Sequence, residues 1–81
     1  MIDKDILFSY ASRLLELASA RGTNQGVVVY AAMLEKLRNA SSQDEVNDCA
    51  RALKRALNGI EAHGHFDQEE YRIVKAVREL C

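Results

Sequence analysis

Four residues at alternate positions, Glu61, His63, His65 and Asp67, form the cluster that most resembles a metal site in the sequence. Alternation gathers donors on one side of an extended strand, but the flanking pattern predicts a helix end and a turn here. A zinc site needs three or four convergent ligands, and the rest of the sequence offers no obvious completion. Solvated turn histidines are therefore expected, with no metal, no cofactor and no assigned role for His63 or His65.

Nucleophilic chemistry would need a cysteine or serine beside a base and an orienting group. Cys49 falls in the middle of a strongly periodic helical segment, which predicts a small apolar core side chain, while the histidines fall at a turn. Cys81 is the last residue, and no structural disulfide is expected. Gly22, Gly26, Gly59 and Gly64 are scattered and make none of the glycine-rich phosphate loops. The carboxylates concentrate at helix starts, where they cap, so the reading is that the chain is not an enzyme.

Arg51, Lys54 and Arg55 could form a phosphate-binding ridge, joined by Arg72, Lys75 and Arg78 if the third and fourth helices lie side by side. Asp44, Glu45, Asp48, Glu69, Glu70 and Glu79 share those helices and offset the field. A recognition helix starting with Asp67, Glu69 and Glu70 would be repelled by DNA phosphates. Nucleic-acid binding through this ridge is thus the alternative reading.

The elements that position these residues are four helical segments, at about 3–21, 24–40, 42–62 and 67–80, in one domain spanning 1–81. In the first, Ile6, Tyr10, Leu14, Leu17 and Ala18 form a stripe at three- and four-residue spacing. Leu7, Phe8, Ala11 and Leu15 widen it, so contact on two sides is expected. Asp3 or Asp5 starts this helix and Gly22 ends it.

The second segment contains Val27-Val28-Val29-Tyr30, a strand-like run, but the helix formers from Ala31 to Arg38 and the spacing of Val27, Tyr30, Leu34 and Leu37 favour helix. Thr23 or Asn24 is its expected N-cap. Val28, Ala31 and Ala32 make a second, small-residue surface suited to a closely packed neighbour helix.

Ser42 and Glu45 open the third helix as a capping box. Behind them Val46, Cys49, Ala50, Leu53, Ala56, Leu57 and Ile60 form a continuous stripe. Asn58-Gly59 could end it, but Ile60 fits the stripe, so the helix is expected to continue with some distortion. In the fourth helix Asp67 and Glu70 repeat the cap logic, Phe66 and Tyr71 suit a hydrophobic staple, and Tyr71, Val74, Val77 and Leu80 make the apolar line.

Composition bounds the function. The 81 residues carry 11 basic and 12 acidic side chains, a net charge of −1 that gives no general attraction to nucleic acid or anionic membranes. No window reaches the roughly 18 to 20 apolar residues of a membrane helix. Met1-Ile2-Asp3-Lys4-Asp5 lacks a basic region followed by an apolar one, which predicts a cytoplasmic protein.

Apolar residues on the first two helices exceed one stripe each, and Leu7, Phe8, Leu15, Val28, Val29 and Met33 need cover. The expectation is an all-α four-helix domain with short connections, a homodimer that binds another protein through those six residues. It would act as a small regulator or adaptor of the bacterial or phage type and mask a partner's interaction face.

Overall fold

The computed structural model describes residues 2–64 and 66–80, except for the side chain of His63. Four helices occupy them: α1 (Lys4–Arg21), α2 (Asn24–Arg38), α3 (Gln43–His63) and α4 (Gln68–Leu80), with no strand among the described residues. The bounds lie within two residues of those expected. The strand-like valines of α2 are helical because the fold gives them helical neighbours on α1 and α3 and no strand to pair with.

Local chemistry sets the ends. The Asp3 carboxylate accepts from the amides of Asp5 at 2.8 Å and Ile6 at 3.1 Å. Gly22 ends α1 at φ +72°, where a side chain would be strained. The Thr23 amide then closes on the Ala18 carbonyl at 3.1 Å, as in a Schellman termination. The Thr23 hydroxyl donates to the same carbonyl at 3.2 Å, so Thr23 occupies the N-cap position of α2 without capping it.

At α3 the Glu45 amide donates to Ser42 Oγ at 3.2 Å, as expected of the capping box. The Glu45 carboxylate reaches back one residue further than expected, accepting from the Ser41 amide and hydroxyl. The helix runs through Asn58-Gly59 to His63.

One core joins the four elements. Leu7, Ala11, Leu14 and Ala18 of α1 meet Tyr30 and Leu37 of α2, Val46, Ala50, Leu53 and Leu57 of α3, and Val74 and Val77 of α4. Cys49 belongs to this core, and burial pushes its thiol pKa up, so the protonated form is favoured. A Cα radius of gyration of 11.6 Å agrees with the roughly 12 Å of a compact chain this long. Lys4 Nζ to the Ala40 carbonyl and Gln43 Nε2 to the Ile2 carbonyl, each 2.8 Å, tie the start of α1 to the α2–α3 connection.

The stripe of α1 is a correction. Leu7, Ala11, Leu14 and Ala18 are buried, whereas Ile6 is 44% exposed and Tyr10 and Leu17 are only half-buried. The inward face is therefore turned by roughly 60° about the helix axis from the one expected, with Leu14 and Ala18 common to both. On α4 Val74 and Val77 are inside as expected, but Tyr71 is 49% exposed and Glu70 takes the inward position.

Gly59 sits in the interior of α3, and a Cβ built on it meets nothing within 4 Å. Gly59→Ala should therefore stabilise the fold by about 0.5–1 kcal/mol, through lower backbone entropy in the unfolded chain. That corresponds to a melting temperature about 2–8 °C higher in thermal unfolding; an unchanged or lower one would contradict the continuous-helix account.

Candidate functional site

Asn24–Leu34 is a run of eleven residues without a charge, in a chain of which 28% is charged. Wound into α2, the run divides by face. Gly26 and Tyr30, with Leu37 just beyond the run, are buried, Val27, Val29, Met33 and Leu34 are half-buried, and Asn24, Gln25, Val28, Ala31 and Ala32 are exposed. At 3.6 residues per turn the exposed set lies roughly opposite the buried one.

The inward side is closely fitted. A Cβ on Gly26 would lie 3.3 Å from Ala18 Cβ and 3.4 Å from Tyr30 Cε2, so glycine lets the start of α2 approach α1. The outward side has no such cover. Among the described residues Val28, 69% exposed, is the most exposed of the large apolar side chains, and no helix packs on the Val28, Ala31, Ala32 surface expected to receive one.

The six side chains expected to need a partner fare differently. Leu7 is 1% exposed, covered within its own chain as part of the α1 core face, and is withdrawn from the candidate surface. Phe8, Leu15, Val29 and Met33 are half-buried against the core. Val28 alone stands fully outside. Ile6 and Tyr71 are exposed apolar residues that the sequence reading had placed inside; each pattern admitted two neighbouring helix registers, and spacing alone does not choose between them.

The basic ridge is partly spent. Arg51 is exposed and ion-paired with Asp48. Arg78 is half-buried and donates to Asn58 Oδ1 and Glu61 Oε1, each at 2.8 Å. Arg55 is exposed and Lys54 half-buried. Among the described residues no three metal-capable side chains converge. Glu61 pairs with Arg78 and Asp67 caps α4, while His65 and the side chain of His63 lie outside the described residues.

A second feature closes the bundle where α1 ends and α4 begins. The Glu70 amide donates to Asp67 Oδ1 at 2.8 Å, and the Asp67 amide donates to Glu70 Oε1 at 3.1 Å, the reciprocal capping box expected from the sequence. The same Glu70 oxygen is ion-paired with Arg21, and Glu70 is only 2% exposed. Arg13, 2.6 Å from Glu69, adds a surface pair between the same two helices.

Beside this pair a cleft of about 250 Å³ is lined by Arg21, Gly26, Tyr30, Ile60, Phe66 and Glu70, among others. Burial pushes the Tyr30 hydroxyl pKa up to about 12, with the Glu70 charge adding to the rise and Arg21 opposing it. The cleft is therefore a place where a phenol stays protonated and a carboxylate is already satisfied.

No helix of the described residues is long and apolar enough to cross a membrane. Comparison with known proteins finds no family model, no curated protein and no solved structure that matches the chain.

Removing Arg21 leaves a buried carboxylate without its counter-charge. Arg21→Ala should cost toward the lower end of the roughly 3–5 kcal/mol typical of a broken buried pair, because Arg21 is a third exposed and water screens it. Urea unfolding checks this, and a loss under about 1 kcal/mol would show that Glu70 is not held by the pair. For Tyr30, a folded pKa above the unfolded value of about 10 means that its contribution is complete below pH 10 and is lost as pH rises toward 12. The alkaline loss of stability should therefore be shallower in Tyr30→Phe than in the parent over that window; parallel curves would contradict the assignment.

Proposed function

We propose that this chain is a protein–protein interaction module, a small regulator or adaptor that acts by occupying or masking a partner's surface. The observation that carries the reading is the outer face of α2, where Val28, Ala31 and Ala32 stand exposed in a charge-free stretch with no helix of their own chain upon them. Scattered apolar residues are ordinary on a protein surface. Three on one face, within a helix otherwise bound to its neighbours by its opposite side, make a ready bed for another helix.

Half-buried Val27 and Val29 border this face on its two sides, whereas Met33 lies toward the buried side of the helix. Homodimerisation and a cytoplasmic setting of bacterial or phage type form part of the same proposal. The phosphate-binding alternative has less support: Asp48 pairs with Arg51 and Glu61 engages Arg78, which leaves Lys54, Arg55, Arg72 and Lys75 of the six expected basic side chains to attract phosphate.

The test is capture from extracts of the native host by the parent chain and by Val28→Asp, with retained proteins identified by mass spectrometry. Substituting a site this exposed leaves the core intact, so the variant should fold while losing the proteins that the parent retains. An identical set on both, or none on either, would contradict the reading.

A further inference from the structure

We infer that the outer face of α2 takes up the same face of a second copy, the two helices antiparallel about a two-fold axis that passes outside position 30. The inference rests on the proposed docking role of that face and names its occupant.

Two independent matches give the same axis. Val28 and Ala32 lie equally far on either side of position 30, so antiparallel pairing about that point sets each protruding Val28 against the small Ala32 of the other copy, with Ala31 beside it. Gln25 and Glu35, both exposed, also lie equally far on either side of position 30, about 7.5 Å along the axis in each direction. The same pairing therefore brings each Glu35 carboxylate to the amino end of the other α2. That end has no side-chain cap and no acidic residue in its first turn, and its amides and positive dipole end attract a carboxylate.

A size match and a charge match centred on one position are what a two-fold interface requires, since each patch must complement itself. A parallel arrangement would instead set Glu35 beside Glu35 and Val28 against Val28. The pair that Glu35 makes with Arg38 within its own helix, 3.6 Å long and two-thirds exposed on both sides, competes weakly. Tyr30, which marks the axis, points into the core and leaves the crossing point free of a large side chain.

Sedimentation equilibrium of the full chain tests this, and the mass should rise with concentration from 9.1 kDa toward twice that value. Val28→Asp should weaken self-association by at least roughly 30-fold, since a carboxylate would be buried against alanine. Glu35→Lys should weaken it by about two- to fivefold and more at low salt.

The geometry has its own readout. In a chain with Cys49→Ala and Cys81→Ser, a mixture of Val28→Cys and Ala32→Cys should form the mixed disulfide in preference to either self-linked species, a result independent of how Val28→Asp folds. A single-chain mass at every concentration, a dimer indifferent to Val28→Asp, or preferential self-linking at position 28 would each overturn the inference. A monomer that still retains host proteins in a Val28-dependent way would overturn this inference and leave the docking role standing; loss of both would remove the role as well.

Discussion

A helix can hide only the side of itself that its neighbours cover, and α2 carries uncharged residues around most of its circumference from Asn24 to Leu34. With α1 and α3 packed on one side, the fold buries Gly26, Tyr30 and Leu37 and must leave Val28, Ala31 and Ala32 in water. The conflict is geometric. Turning the helix to cover Val28 would expose Tyr30, whose burial is worth more than that of one valine and two alanines. The exposed face is thus the cost of the better core, and it carries the functional reading.

The remaining elements hold α2 in that orientation. Gly26 permits the approach to α1, and the Gly22 termination with Thr23 folded back on the Ala18 carbonyl makes the turn between them tight. α4 then closes the bundle with only Val74 and Val77 fully buried among its apolar side chains. The ion pair of Glu70 with Arg21 complements this modest apolar contribution. Its carboxylate answers three demands at once: the cap of α4, the charge at the end of α1, and the electrostatic surroundings of Tyr30. A buried pair of this kind adds little net stability and strongly disfavours arrangements that separate its members. It works as a register pin for α4.

Much of this was legible in the residues. Ser42 with Glu45 and Asp67 with Glu70 are local signals that need no tertiary knowledge, and the helix starts they mark agree with the structure. The third helix was clear because Val46, Cys49, Ala50, Leu53 and Leu57 repeat on one side with charges on the other. The first helix was harder. Ile6, Tyr10 and Leu17 on one line, and Leu7 and Ala11 on the next, are equally apolar, so periodicity permits either to face inward; the choice depends on which neighbour arrives from which side. That is why Leu7 read as a surface candidate and proved to be core. On α4 the sequence marks Glu70 as a cap, but its burial rests on the pairing with Arg21, 49 residues away in sequence, which no local pattern reveals.

The candidate face itself was half visible. Its three members were recognisable as a small-residue surface suited to a neighbouring helix, but residue spacing does not say how many helices of its own chain α2 will touch, so which of the six partner candidates would stand outside was not legible. The most direct measurement of the central claim is a dilution series of amide NMR spectra of the unmodified chain. The account predicts concentration-dependent shifts concentrated at Gln25, Val28, Ala31, Ala32 and Glu35, with the buried side of α2 and the outer surface of α3 unmoved. Shifts centred on Ile6 or Tyr71, or spectra that do not change over the accessible concentration range, would contradict it.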